Sequence, residues 1–213
     1  MRVDEGLGLL LVADGMGGHP GGDIASRMVG ECVERALSEA SHTLATALEQ
    51  AHRMLLEAGR SGRGAPGMGT TCVAARLHGR MLEVAWVGDS RIYRARAGRL
   101  EQISRDHSWV QRLVDAGELA ASERDRHPQR HVLAQCLGGF DTQGVEVESE
   151  AVALDAGQRL LLCTDGLTGE LDDATIGRIL AQEADDEQAA DALVDAALAA
   201  GGRDNVTVIV ATV

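Results

Sequence analysis

Four aspartates stand beside short apolar runs, at positions where strands of a β-sheet would begin or end. Asp14 and Asp165 each follow such a run, Asp204 shortly precedes one, and Asp89 lies between two. One Asp-Gly pair after a strand is usually an ordinary turn. Carboxylates grouped at the rim of buried strands, together with backbone carbonyls and water, are the ligands of Mg²⁺ or Mn²⁺. The pattern therefore indicates a site for hard divalent cations.

The loop that follows Asp14 is rich in glycine, with Gly15, Gly17 and Gly18 in close succession. Glycines remove side chains from around the carboxylate, so carbonyls and water can approach an ion. No histidine or cysteine cluster competes for a softer metal. The four cysteines form no CxxC pair. We therefore expect reduced, mostly buried thiols and neither a zinc site nor a disulfide framework.

The net charge of −13 argues against nucleic acids and anionic membranes as partners. Aromatic residues are scarce, which also argues against base stacking. An acidic chain that handles phosphate has to neutralise the substrate locally, with cations or a few arginines. There is no signal-peptide pattern, and no apolar stretch reaches the ~20 residues of a membrane span. The expected location is the cytoplasm.

The apolar periodicity predicts a strand, two helices, a series of strands, two further helices and a closing strand. This order lacks the regular alternation of a parallel sheet and favours an α+β fold of packed antiparallel sheets with helices outside. We expect one domain over residues 1–213. The strands are predicted at 9–13, 71–77, 81–87, 91–96, 99–103, 145–151, 159–163 and 206–213, and the helices at 23–37, 44–56, 109–116, 174–180 and 188–199.

Six short motifs, in order between residues 9 and 213, resemble those of the metal-dependent serine/threonine protein phosphatases of type 2C, the bacterial branch above all. One such motif alone would be a weak signal, but six in the family's order are specific. The motifs are Val12-Ala13-Asp14-Gly15-Met16-Gly17-Gly18-His19, Gly69-Thr70-Thr71, Val87-Gly88-Asp89-Ser90-Arg91, Asp106-His107-Ser108, Cys163-Thr164-Asp165-Gly166-Leu167 and Gly201-Gly202-Arg203-Asp204-Asn205-Val206-Thr207.

The resemblance implies a four-layer α-β-β-α sandwich, in which two antiparallel sheets are flanked by helix pairs. It also implies a centre of two Mn²⁺ or Mg²⁺ ions. By motif, Asp14 would bridge the ions, the Gly15 carbonyl would bind one ion, and Asp165 and Asp204 would bind the other. Asp89 resembles the ligand of a third, weaker metal that would share Asp165. The two ions would activate water for the hydrolysis of a phosphate monoester.

Other motif residues are expected to support this chemistry. The leaving oxygen needs a proton, and His19 is the candidate donor beside a metal-bound water; His107 is a weaker candidate. We expect Asp106 to cap the helix that starts near Ser108 and Asn205 to hold the Asp204 loop through its side chain.

The excursion over residues 107–131 resembles the family's flap beside the active site. Its segment His127-Pro128-Gln129-Arg130 is either a surface turn or a contact with the phosphoprotein. No substrate-binding residue is assigned from the sequence.

The chain departs from the family pattern at its start. The family's N-terminal strand carries an arginine that grips the phosphate, followed by Asn-Glu-Asp, and the residues from Arg2 to Glu5 resemble this pattern only loosely. We therefore expect that strand to be missing. Either the sequence begins after it, or the protein is a natural short form with weakened catalysis.

The resulting hypothesis is a monomeric phosphoserine/phosphothreonine protein phosphatase, which reverses a serine/threonine kinase and acts on phosphorylated proteins. The alternative is a catalytically weakened or inactive module of the same fold that binds phosphoproteins or regulates a kinase. The metal-ligand set of Asp14, Asp165 and Asp204 favours the enzyme, and the missing strand favours the alternative.

Overall fold

All strand pairs in the described part of the chain are antiparallel, in two main sheets and one short ribbon. The computed structural model describes residues 1–16, 21–39, 42–96, 98–139, 144–154 and 156–213. The strands are β1 (Arg2–Asp4), β2 (Leu9–Val12), β3 (Gly69–Thr70), β4 (Cys72–His78), β5 (Met81–Val87), β6 (Arg91–Arg96), β7 (Arg99–Gln102), β8 (Leu137–Gly138), β9 (Glu148–Ala153), β10 (Arg159–Cys163) and β11 (Val208–Thr212). The first sheet has the order β1-β2-β4-β5-β9, the second β11-β10-β6-β7, and β3 pairs with β8.

Two helix pairs enclose the sheets. The helices are α1 (Gly22–Ser38), α2 (Leu44–Arg60), α3 (Trp109–Asp115), α4 (Asp165–Thr168), α5 (Asp173–Gln182) and α6 (Asp186–Ala200), with a 3₁₀ helix over Ala121–Arg126. Side chains from Thr43, Asp172 and Asp185 accept backbone N–H groups at the starts of α2, α5 and α6. At these three helix starts, a side-chain oxygen accepts one of the free N–H groups.

Strand β2 shows why the fold has four layers. All four of its residues are buried, and its side chains alternate between two apolar clusters. Leu9 and Leu11 pack with α1 and α2, whereas Leu10 and Val12 pack against the second sheet. A strand that is covered on both faces has a continuous run of apolar residues in its sequence, without the alternation of apolar and polar residues seen in a half-exposed strand.

The second sheet repeats this arrangement in β10. Leu160 and Leu162 face the first sheet, while Leu161 and Cys163 pack against α5 and α6. The layers are therefore α1–α2, sheet, sheet and α5–α6, and the predicted α+β sandwich of antiparallel sheets is confirmed.

The predicted elements agree with the structure except in short segments. Strand β1 was not predicted, nor were the two-residue strands β3 and β8 or the single-turn helix α4. β9 begins at Glu148 instead of residue 145. These segments are too short to show periodicity, and the pairing of β3 with β8 joins residues far apart in the chain. Among the described residues, no helix combines the length and apolar composition of a membrane span.

The strand register brings all four aspartates to one end of the sandwich. Val12 pairs with Val73, Cys72 pairs with Val87, and Cys163 pairs with both Arg91 and Val208. The chain therefore leaves β2, β5 and β10 at the end where β4, β6 and β11 begin. At the opposite end, β4 and β5 are joined by a tight turn at Gly79 and Arg80.

Candidate active site

The sequence-predicted metal ligands lie together around one pocket of about 600 Å³. The pocket lining includes all the residues that the sequence predicts to bind or support a metal: Asp14, Gly15, Asp89, Asp165, Asp204 and Asn205. Four strand ends contribute to the pocket, so the layered fold brings together side chains that are up to 190 residues apart in the chain, from Asp14 to Asp204.

Two threonines hold the turn that carries Asp14. The Asp14 carbonyl accepts the Thr71 N–H at 2.8 Å and the Thr70 hydroxyl at 2.7 Å. The Asp14 N–H donates to the Thr71 hydroxyl at 3.3 Å, and that hydroxyl lies 2.7 Å from the Ser90 hydroxyl, next to Asp89. Thr71 therefore connects the two turns that carry Asp14 and Asp89.

The loops of Asp165 and Asp204 are in direct backbone contact. Any Cβ at Gly166 would overlap the Asn205 carbonyl, so glycine is required for this approach. The Thr164 hydroxyl donates to the Asn205 carbonyl at 3.2 Å, and the Asn205 N–H donates to Asp204 Oδ1 at 2.8 Å. The Asn205 backbone therefore contacts both the Thr164 side chain and Asp204, and the side-chain role predicted for Asn205 stays a prediction.

The carboxylates disfavour one another's ionised form. Burial, followed by the charges of Asp165 and Asp204, raises the pKa of Asp14 to about 7. Burial, followed by the charges of Asp165 and Asp106, raises the pKa of Asp89 to about 8. The pKa of Asp165 is raised for the same kinds of reason, burial first and then Asp204. A buried group of carboxylates without matching cations is stabilised by a bound divalent cation.

The donor set fits Mn²⁺ or Mg²⁺. It consists of oxygens, as hard cations require. Among the described residues, no group of three acidic, histidine or cysteine side chains is arranged to hold an ion by itself. An ion held here therefore needs backbone carbonyls and water in addition to the carboxylates.

Three cationic or titratable side chains on the pocket wall were not assigned from the sequence as ligand-binding residues. They are Arg130, His131 and Arg203. Arg203 forms a bidentate ion pair with Glu170, with both distances 2.9 Å. His131 Nδ1 lies 3.8 Å from Asp165 Oδ2. Arg130 forms no hydrogen bond or ion pair with a described side chain, although its charge acts on Glu170, so its guanidinium donors are available to an anion in the pocket. Its position within a motif segment was the only sequence signal.

Asp106 has a structural role that differs from the expected helix cap. Its carboxylate pairs with Arg91, with Nε to Oδ1 at 2.9 Å and Nη2 to Oδ2 at 2.6 Å, and both side chains are buried. Helix α3 is instead capped by Ser108, whose hydroxyl accepts the Gln111 N–H at 3.2 Å. The expected cap was therefore wrong, because a bidentate arginine is the stronger partner for a buried carboxylate.

Of the two histidines that the sequence analysis named as candidate proton donors, only His107 belongs to the described residues. His19 lies outside the described residues. His107 is described but is not part of the pocket lining, and both of its ring nitrogens are engaged elsewhere.

Known proteins share the sequence and the fold of this chain. The family model for protein phosphatase 2C matches residues 1–200. The serine/threonine protein phosphatase PstP of Mycobacterium tuberculosis H37Rv is 39% identical over 220 residues, which cover 99% of this chain but 41% of that protein's length. The serine/threonine phosphatase stp of Listeria innocua is 33% identical over 211 residues, covering 94% of this chain and 82% of that protein.

A solved structure gives the same result. The catalytic domain of PstP in complex with two manganese ions superposes with a TM-score of 0.82 at 35% identity, covering 96% of this chain and 86% of that one. The match over nearly the whole chain, the layered fold and the clustered aspartates lead to one conclusion: the chain belongs to the protein phosphatase 2C family.

Proposed function

We propose that this chain is a metal-dependent phosphoserine/phosphothreonine protein phosphatase that uses two Mn²⁺ or Mg²⁺ ions. The observation that carries the proposal is the convergence of Asp14, Asp165 and Asp204 on one pocket, with raised pKa values at Asp14 and Asp165. Relatives that are named serine/threonine phosphatases support it. The chain spans less than half of PstP, so activity is proposed for this chain's own residues.

The metal roles are assigned to the residues that line the pocket. With water as a further ligand, Asp14 and the Gly15 carbonyl would bind one ion, and Asp14, Asp165 and Asp204 would contribute to binding the other. Asp89 would bind a third, weaker ion. When bound, the ions supply positive charge that neutralises phosphate oxygens and lowers the pKa of water. The protein's part is to fix the carboxylates before the substrate arrives, through Thr71 and the Gly166–Asn205 contact.

Arg130 would contact the substrate phosphate. It lines the pocket and has no ion-pair partner among the described residues, whereas Arg203 is engaged by Glu170. A guanidinium matches two phosphate oxygens at once. Arg130→Ala should therefore raise KM more than it lowers kcat.

A proton is needed on the leaving serine or threonine oxygen. His131, in the pocket wall, and His19 are the candidate donors. An aryl phosphate has a good leaving group and needs little protonation, whereas a phosphoserine peptide needs it fully. Loss of the donor should therefore slow hydrolysis of the peptide much more than that of p-nitrophenyl phosphate. His131→Asn and His19→Asn, compared on both substrates, identify the residue.

The decisive experiment is the hydrolysis of a phosphoserine or phosphothreonine peptide with and without Mn²⁺. We expect turnover that requires the ion and is lost in Asp165→Asn, but is kept in Asp191→Asn, a change of the same kind on exposed helix surface. Turnover that is unaffected by chelators would contradict the proposal. Peptide binding without turnover at saturating Mn²⁺ would instead indicate a non-catalytic module that binds phosphoproteins.

We further propose that the substrates include an autophosphorylated serine/threonine kinase or its targets, and that the chain acts as a cytoplasmic monomer. Four free thiols suit a reducing compartment. Exposed large apolar side chains are few in the described residues, which suits a monomer. Light scattering of the purified protein tests the oligomeric state.

A further inference from the structure

His107 lies outside the pocket but is bonded to the turn that carries Asp89. Its side chain is 9% exposed, in the segment between β7 and α3. Its backbone N–H donates to the Gly88 carbonyl at 2.9 Å, and its ring Nδ1 lies 3.2 Å from the Gly88 N–H. Both polar groups of the Gly88 residue are thus bound by one amino acid.

The contacts of the ring define its tautomer. Gln135 Nε2 also lies 3.0 Å from His107 Nδ1. The orientation of the Gln135 amide is fixed by Glu146, whose carbonyl accepts from Nε2 at 2.6 Å and whose N–H donates to Oε1 at 3.2 Å. Two N–H donors therefore face Nδ1, which must be an acceptor. The proton is on Nε2, which donates to Glu148 Oε1 at 3.1 Å on β9.

A neutral ring agrees with the surroundings of His107. Burial lowers its pKa below the usual value, although Glu148 opposes the shift. The ring is thus a fixed connector with one acceptor nitrogen and one donor nitrogen, positioned between the Gly88 turn and the first residue of β9.

The Gly88 turn needs this restraint because its backbone is unusual. Gly88 has φ +109°, and a Cβ there would be 2.5 Å from the Thr71 Cβ. The peptide that follows places Asp89 in the pocket. A turn in a conformation that only glycine adopts readily is defined by its hydrogen bonds, and two of these end on His107.

We propose that His107 is a positioning residue that fixes the Gly88–Asp89 turn, and with it the Asp89 carboxylate, through its Nδ1 acceptor and its backbone N–H. This inference rests on the proposed function only in giving Asp89 a metal to bind. His107 acts through Gly88 and contacts neither the substrate nor the ion.

Two amide substitutions separate the roles of the two nitrogens. In His107→Asn the side-chain oxygen can occupy the place of Nδ1, so the acceptor for Gly88 is kept and the donor to Glu148 is lost. In His107→Gln the amide nitrogen can occupy the place of Nε2, so the donor is kept and the acceptor is lost. His78→Asn and His78→Gln, at the exposed end of β4, are the matched controls.

The measurements need no turnover. Hydrogen exchange of the Gly88 amide, followed by NMR, should remain slow in His107→Asn and become fast in His107→Gln. Mn²⁺ binding in the absence of substrate can be followed by electron paramagnetic resonance. The affinity of the weakest site should fall about 10-fold in His107→Gln, the size of effect known for residues that orient metal ligands. In His107→Asn it should fall less than about 2-fold. Both control variants should match the wild type.

Equal effects of the two His107 variants would overturn the proposal, because they would indicate simple packing of the ring. An unchanged Gly88 exchange rate in His107→Gln would also overturn it. If His107→Gln does not fold, ¹⁵N NMR of the His107 ring in the wild type tests the proposal instead. The proposal requires the ring proton on Nε2, and a proton on Nδ1 would refute it. Absence of phosphatase activity would contradict the proposed function and leave the Gly88 exchange result intact, so the two failures are distinguishable.

Discussion

Arg91 and Asp106 form a bidentate ion pair in which each side chain is almost inaccessible to water, 11% and 6% exposed. Arg91 also donates to the Tyr93 hydroxyl at 2.9 Å, which in turn donates to Asp173 Oδ1 at 2.9 Å, at the start of α5. The pair therefore joins strand β6, the segment before α3 and the outer helix layer. Arg91 lies two residues from Asp89, so the network also supports the pocket.

Removal of one partner of this pair should be costly. Asp106→Ala leaves the Arg91 charge buried without a counter-charge, and we expect the free energy of unfolding to fall by about 3–5 kcal/mol. Urea denaturation measures it. Glu49→Gln, which breaks the exposed pair of Arg53 and Glu49 on α2, should cost no more than about 0.5 kcal/mol. Similar losses in both variants would contradict this role for the pair.

Asp14 should have opposite effects on stability in the absence and presence of metal. Burial, Asp165 and Asp204 favour its neutral form, so at pH 8 the ionised carboxylate costs the metal-free fold free energy. Asp14→Asn removes that charge, and we expect the metal-free protein to gain on the order of 1–3 kcal/mol. Mn²⁺ should raise the melting temperature of the wild type and have little effect on the variant.

Calorimetry with and without Mn²⁺ tests both parts of this expectation. Asp191→Asn is the control, since Asp191 is exposed and does not line the pocket. A metal-free Asp14→Asn protein that is less stable than the wild type would show that the Asp14 carboxylate is satisfied within the protein and has no need of a cation.

Asp186 gives the stability a defined acid dependence. Burial would raise its pKa, but hydrogen bonds from Arg159 and Thr212 outweigh that effect and hold the pKa below the usual value of an aspartate. Because the pKa is lowered in the folded state, the ionised Asp186 contributes its full share to the free energy of unfolding above pH ~4. That share is lost as the pH falls below this value. Asp186→Asn should therefore reduce stability at pH 7 by about 1–2 kcal/mol, discounted because the side chain is partly exposed.

The difference in the free energy of unfolding between Asp186→Asn and the wild type should shrink as the pH is lowered below ~4. Urea titrations at a series of pH values measure this difference. Asp191→Asn, on the same helix α6, should show no such dependence. A difference that grew on acidification would have the wrong sign for a lowered carboxylate pKa.

Thr71 and Ser90 should be energetically coupled. Their hydroxyl oxygens are 2.7 Å apart and buried, and Thr71 also accepts the Asp14 N–H. Thr71→Val and Ser90→Ala each leave a buried polar group without a partner, which costs about 1–3 kcal/mol. The double variant should lose less than the sum of the single losses, with a coupling energy of about 0.5–1.5 kcal/mol. Urea unfolding of the four proteins gives this value, and additivity would exclude the bond.

The sequence predicted the parts of the site that local pattern encodes. Asp14 and Asp165 follow buried strands, and such strands end in turns, so their place at a sheet rim was predictable. The role of Arg91 was not, because an arginine at the start of a strand has the pattern of a surface residue. Only the fold shows that Asp106, 15 residues later, neutralises it. Arg130 is a partial case: the flap resemblance of residues 107–131 places it near the active site, but no local pattern predicts that Arg130 lines the pocket wall.

The two ends of the sandwich differ in how closely their backbone segments pack. The rim with the aspartates is restricted by close backbone contacts, such as that of Gly166 with Asn205. The turn at Gly79 and Arg80 is at the far end, and space is open around Gly79. The turn at the far end can therefore change in sequence or gain residues more easily than the rim. For protein engineering, this turn is the suitable place to insert a tag, a fluorophore or a recruitment domain.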